Sequence, residues 1–98
     1  MNIEKICNNN EITLKVSGRL DTTTAPALEA AVSEAIGGCD QLILDFAGLE
    51  YISSAGLRVL LSAHKSMAGK GGMKVTNVNE IVNEVFEVTG FSDILTVE

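Results

Sequence analysis

The stretch YISSAGLRVLL (51–61) opens a helix-patterned segment with two hydroxyls, Ser53 and Ser54, and a glycine, Gly56. It follows a strand-patterned run, LILDF (42–46), and a short link, AGLE. Hydroxyls at a strand-to-helix turn do one of three things. They cap the helix, they act as nucleophiles, or they present a modifiable anion site over the free N–H groups of the first turn. The nucleophile reading lacks partners. Ser54-Ala55-Gly56 is half of a nucleophile elbow, but Ile52 stands where the G-x-S-x-G pattern needs its first glycine. His64, the only histidine, lies further along the same helix, about 15 Å away at 1.5 Å per residue, too far to serve as base. Asp45 does not repair that. No catalytic residue is expected, and the chain is not read as an enzyme.

Metal and cofactor chemistry find no support either. Cys7 and Cys39 are far apart, with no C-x-x-C pair, and one histidine is too few for a zinc site. Both read as reduced, partly buried small hydrophobes. GKGG (69–72) lacks P-loop spacing and precedes a strand, so it reads as a helix stop and turn. His64, at core spacing, reads as a packed or half-exposed histidine.

Capping and modification both stay open. One serine suffices for a cap, worth about 1 kcal/mol, and Ser54 is read as supplying it. Gly56 costs about 1 kcal/mol relative to alanine within a helix, a cost explained if another backbone or an anion comes close. A phosphate on Ser54 would sit over the first-turn N–H groups, at the positive end of the helix dipole. It would add about −1.5 to −2 of charge and expel a partner packed over Gly56. Arg58 is one turn on, placed either to pair with that phosphate or to be solvated. Ser54, Arg58, Ser62 and Lys65 share one outward stripe, opposite Leu57, Leu60 and Leu61.

The elements that would position these residues alternate. Residues 2–7 form a weakly patterned strand and Asn8-Asn9-Asn10 a turn. Ile12, Leu14 and Val16 mark a half-buried strand ending near Gly18. TTTAP (22–26) starts a helix, with hydroxyls for capping and a proline tolerated in the first turn. Leu28, Ala31, Val32, Ala35 and Ile36 form its inner face, and Gly37-Gly38 stops it. Residues 41–46 read as a buried parallel strand. A second helix spans 54–68 with Leu57, Leu60, Leu61, His64 and Met67 inward, followed by a strand at 73–76. A third helix spans 79–88 with Ile81, Val82, Val85 and Phe86 inward and Gly90 as stop, and the tail FSDILTVE adds an edge strand. This order predicts an α/β sandwich with a mixed, mostly parallel sheet of four to five strands, packed with three or more helices. The sheet is expected to be buried on both faces or nearly so. Segments 19–24, 48–55 and 77–79 should gather at one edge, where ligands and partners meet in such sheets.

Composition bounds the rest. Ninety-eight residues with 46% hydrophobic content make one domain over residues 1–98 and argue against disorder. No apolar run reaches membrane-spanning length, and MNIEKICNNN lacks a basic segment followed by an apolar one. The chain is expected to be soluble, unexported and cytoplasmic, with no membrane partner. Thirteen acidic residues against seven basic ones, a net charge of −6, argue against direct nucleic-acid binding.

With these residues in view, the chain resembles the single-domain anti-sigma factor antagonists of the STAS (sulfate transporter and anti-sigma factor antagonist) family over nearly all its length. GRLDTTTAPALEAA (18–31) resembles the family's G-x-L-D-x-x-T-A segment. LILDFAGLEYISSAGLRVLL (42–61) resembles its central strand, loop and phosphorylatable helix start, and MKVTNVNEIVNEVFEVTGF its last strand and helix. The resemblance implies a STAS-like fold and an anti-sigma factor antagonist. Its unphosphorylated form would bind an anti-sigma factor that is also a serine kinase, freeing the sigma factor; phosphorylation would end binding, and a phosphatase would reset it. The modified position corresponds to Ser54. Ser53 stands where the family often has an acidic residue, which makes it the second choice. Asp21 matches the family's acidic residue in the first segment, or else bonds the turn at the first helix start. The implied partner surface is Asp21, Thr22, Ser53, Ser54, Ala55, Gly56, Arg58 and Ser62, on a chain that is a monomer when free. The alternative is a non-switching STAS subunit of a transport or scaffold complex.

Overall fold

A computed structural model describes residues Met1–Glu98. The chain forms β1 (Asn2–Asn8), β2 (Glu11–Leu20), α1 (Ala25–Ile36), β3 (Gln41–Ile52), α2 (Ser54–Met67), β4 (Met73–Thr76), α3 (Glu80–Thr89), a 3₁₀ turn (Phe91–Asp93) and β5 (Thr96–Val97). The order is the expected one, tail strand included. Asn9 adopts a left-handed φ of 59°, which turns β1 back antiparallel on β2. The remaining strands are parallel, and the sheet order is β1-β2-β3-β4-β5.

That sequential order overturns one expectation. Right-handed crossovers that always step the same way put all their helices on one face, so the sheet is covered on one side only. Ile12, Leu14, Val16, Leu42, Leu44, Phe46, Met73 and Val75 are buried, whereas Thr13, Ile43, Asp45, Lys74 and Thr76 are half-buried and Lys15 is exposed. The apolar run at 41–46 looked two-sided because of Ile43. It lies in register between Thr13 and Lys74, whose aliphatic parts shelter it.

The strands are also longer than the pattern suggested. β3 runs to Ile52 and β2 to Leu20. On β3, β4 reaches only Leu42–Asp45, so the second half of β3 is a ribbon with β2 alone: Ser17↔Gly48, Gly18↔Leu49, Arg19↔Tyr51, Leu20↔Ile52. Two register shifts carry the pairing through AGLE, where alternation in the sequence breaks down. Leu49 and Ile52 still turn into the core.

On the helices, Leu28, Val32 and Ala35 of α1 are buried as expected. In α2 the buried face is Leu57, Val59, Leu60, Ala63 and Met67; Leu61 and His64 are only half-buried, a rotation from the expected face. In α3, Val82 and Phe86 are fully buried, but Ile81 is 60% exposed rather than inward. Val82 and Phe86 share one side at i, i+4, and Ile81 lies about 100° round from Val82. Gly71 is pressed against the Asp40 carbonyl, leaving no room for a side chain at that turn. Cys39 is buried, and burial pushes its thiol up; Cys7 lies exposed on β1, contrary to the partly buried reading. No helix is long and apolar enough to cross a membrane.

Candidate functional site

Because Leu20 and Ile52 are register partners, β2 and β3 leave the sheet at the same level. The Ser53 N–H donates to the Leu20 carbonyl at 2.9 Å, which sets the start of α2 beside the start of α1. Asp21, Thr22, Ser53 and Ser54 are thereby brought to one edge. The third expected segment does not join them. β4 ends opposite Asp45, seven positions short of Ile52, so Asn77 donates to Asp45 Oδ1 (3.0 Å) and Asn79 to the Leu49 carbonyl (2.7 Å). Burial raises the Asp45 pKa, but the Asn77 amide, the Ala47 N–H and Lys15 together hold it below the ordinary value.

The start of α2 differs from the sequence reading in two respects. Ser53, not Ser54, is the N-cap, with extended backbone (φ −101°, ψ 176°), and Ser54 is the first helical residue. Neither side chain bonds a first-turn N–H. The Ser53 hydroxyl is enclosed and has no hydrogen-bond partner, whereas Ser54 is exposed. The first helical bond, Leu57 N–H to the Ser53 carbonyl at 3.0 Å, is in place, and the N–H groups of the first turn are left without a side-chain acceptor.

Gly56 is the second difference. It is buried, and a Cβ there would lie 2.6 Å from Leu20 Cγ and 2.9 Å from Ile52 Cγ1. It is a glycine so that α2 can settle on the ends of β2 and β3, not so that a partner or an anion can approach. Gly56 therefore leaves the candidate partner surface. Ser54, Arg58, Ser62 and Lys65 do form an exposed stripe, with Ala55 half-buried beside it.

The α1 start is closed by its own side chains. Asp21 Oδ1 accepts from the Thr23 hydroxyl (2.7 Å), the Thr23 N–H (3.0 Å) and the Thr24 N–H (3.2 Å). The Thr24 hydroxyl donates to the Arg19 carbonyl and accepts from the Asp21 N–H, both at 2.8 Å. The threonine hydroxyls thus tie the turn rather than cap helical N–H groups. The Thr23 hydroxyl, aided by the Thr23 and Thr24 N–H groups, outweighs burial and holds the Asp21 carboxyl below its usual pKa. Asp21 accordingly bonds the turn, while Thr22 points into solvent.

Two residues of this edge were not singled out from the sequence. Arg19 sits 4.4 Å from the centroid of the Tyr51 ring, and its Nε lies 4.0 Å from Asp21 Oδ2. Both are exposed, and such cation–aromatic pairs are common anchors of protein interfaces. The signal that would have found them is the ribbon pairing beyond Asp45, which alternation alone does not give.

This arrangement offers a nucleophile with no base, a row of small polar side chains, and an uncapped helix start. It can accept an anion and contact a protein; it does not assemble an acid–base pair. The STAS domain profile matches residues 2–98. The anti-sigma-B factor antagonist of Bacillus subtilis (strain 168) is 31% identical over 99 residues, covering 99% of this chain and 90% of that one. An anti-sigma factor antagonist from Mycobacterium paratuberculosis superposes with a TM-score of 0.90 at 23% identity, covering 98% of this chain and 83% of that one. The anti-sigma factor antagonist SpoIIAA superposes at 0.83 in its unphosphorylated form, covering 99% of this chain and 88% of that one. The phosphorylated form of SpoIIAA, from Bacillus, superposes at 0.76, covering 99% and 91%; both forms are 19% identical to this chain. The superpositions bear on the fold, and the sequence relative bears on descent. With the profile spanning 2–98 and that relative aligned almost end to end, the chain belongs to the STAS domain family.

Proposed function

We propose that this chain is a cytoplasmic anti-sigma factor antagonist whose binding is switched by phosphorylation of Ser54. The observation that carries the reading is the α2 start: an exposed hydroxyl on the first helical residue, over N–H groups that no side chain caps. Similarity to the anti-sigma-B factor antagonist of Bacillus subtilis supplies the class of partner. The unphosphorylated face, with Ser54, Ala55, Arg58 and Ser62 on one side and Asp21 and Thr22 on the other, docks on an anti-sigma factor that is a serine kinase. The sigma factor is thereby released.

Ser54 rather than Ser53 is the acceptor, since the Ser53 hydroxyl is enclosed and Ser54 projects outward. The kinase moves the γ-phosphoryl group of ATP onto Ser54 Oγ; the hydroxyl loses its proton, the O–P bond forms and ADP leaves. The product phosphate meets free N–H groups and the positive end of the helix dipole, so the domain holds it without rearrangement. The partner does not. A charge of about −1.5 to −2 now faces a surface that had received a neutral hydroxyl, and leaving it unpaired costs several kcal/mol. A phosphatase restores the binding form. The chain itself performs no catalysis in this cycle.

The test is to incubate the protein with its cognate kinase and ATP, locate the phosphate by mass spectrometry, and measure partner affinity for two variants. Phosphate is expected on Ser54. Ser54→Ala should bind constitutively, and Ser54→Asp should bind roughly thirtyfold or more weakly. Phosphate on Ser53 alone, or on Thr22, Thr23 or Thr24, would overturn the assignment. Equal affinity of the two variants would overturn the charge switch.

A further inference from the structure

The Ser54 edge leaves α3 without a role. Its inner side is used fully by Val82 and Phe86, yet Val88 is 80% exposed and Ile81 60% exposed, with Val85 half-buried between them. At positions 81, 85 and 88 these residues form one stripe along two helical turns, about 10 Å long. α1 and α2 present no such stripe: their outward positions hold alanine, serine, one proline and charged residues. Local structure does not account for it. Valine and isoleucine are poorer helix formers than the alanine or lysine an exposed position could hold, so helix formation does not ask for them here, and of the three only Val85 also packs against the core.

The charge beside the stripe narrows what covers it. Going round the helix from Val88, the next three positions are Glu84, Glu80 and Glu87, and α3 contains no cation. The ion pairs of the fold are Lys5–Glu34, Arg19–Asp21 and Lys74–Glu98, so none neutralises these glutamates. A second copy of this chain would bring glutamate against glutamate, and an anionic lipid surface would be repelled in the same way, the more so for a chain of net charge −6. A cationic segment with its own apolar face meets neither penalty.

We propose that the outer face of α3 docks a basic amphipathic helix of a partner protein. The partner's apolar residues cover Ile81, Val85 and Val88, and its lysines or arginines lie along Glu84, Glu80 and Glu87. Two turns of contact make a weak, salt-sensitive site, suited to a second anchor rather than a sole interface. It is independent of the Ser54 switch.

The test uses the ¹⁵N-labelled protein and two synthetic helical peptides with the same leucine stripe, one flanked by lysine and arginine and one by glutamate. The basic peptide should shift the amides of Glu80–Thr89 saturably, the effect should weaken as salt rises, and the acidic peptide should leave them in place. Val88→Glu should lower the basic peptide's affinity roughly tenfold or more. Since Val88 is exposed, the variant should melt with the wild type, which separates lost docking from lost folding. Ser54→Asp should bind the basic peptide as the wild type does. No saturable shift at 80–89, equal binding of the acidic peptide, or self-association through α3 in the absence of peptide would each overturn the proposal.

Discussion

At the start of α1 a single carboxylate oxygen of Asp21 gathers three donors, and the Thr24 hydroxyl ties the same turn to the Arg19 carbonyl. At the neighbouring start of α2 the Ser53 hydroxyl is enclosed without a partner and Ser54 faces solvent. The α3 start follows the first pattern, with Asn79 Oδ1 accepting from the Val82 N–H at 2.8 Å. What holds the α2 start in place is therefore not a side-chain cap. It is the backbone bond from Ser53 to Leu20, together with the close packing that Gly56 permits on Leu20 and Ile52. A helix fixed from beneath keeps its first-turn N–H groups free. The α1 start has spent that capacity on its own turn.

If packing anchors the α2 start, the largest effect should come from beneath it. Gly56→Val drives a branched side chain into Leu20 Cγ and Ile52 Cγ1 and should cost about 2–3 kcal/mol, read as a fall in denaturant midpoint. A loss of less than about 0.5 kcal/mol, the usual range for a surface change, would mean that the anchor lies elsewhere.

If side-chain bonds close the α1 start, Asp21→Ala should destabilise next most, seen as a lower Tm. The effect depends on pH. The folded pKa of Asp21 lies below its ordinary 3.8, so its stabilisation is fully present above that value and is lost as pH falls through the folded one. The wild type should therefore lose stability below about pH 3.8, alongside a contribution of the same sign from Asp45. Asp21→Asn should flatten that acid limb. An unchanged limb would detach the carboxylate from the stability of the turn.

The smallest effects should come at the α2 start itself. Ser54→Asp places a carboxylate on the first helical residue and should stabilise by about 0.3–1 kcal/mol at low salt, fading as salt is added. Ser53→Ala removes a hydroxyl that bonds nothing and should lie within about 0.5 kcal/mol of wild type. A loss on the scale of Asp21→Ala would show that Ser53 is bonded after all and dissolve the contrast between the two starts.

The site was half legible beforehand. The strand-to-helix placement of Ser53 and Ser54, the outward stripe through Arg58, Ser62 and Lys65, and the exclusion of a base for Ser54 all follow from spacing over one or two turns. The identity of the N-cap did not, because either serine satisfies the local pattern. That choice depends on where β3 stops, and β3 continues to Ile52 only because β2 pairs with it across two register shifts. Arg19 and Tyr51 stayed hidden for the same reason. Gly56 by its type left room for another backbone or an anion, and that room is taken by the Leu20 and Ile52 side chains.

By itself the sequence determined the order of the elements, the helix stops at the glycines, the inner face of α1 and the exposure of Ser54. Each is set by propensity and by periodicity among near neighbours, where the chain carries its own geometry. Only the tertiary structure decided that the helices share one face of the sheet, that Gly56 is a packing glycine, and that Ile81 and Val88 face outward. Those depend on which non-local surface each residue meets. A valine of α3 has the same helical period whether or not a sheet lies beneath it; α3 packs on β3 and the 3₁₀ turn, which bury Val82 and Phe86 and leave Ile81 and Val88 outside.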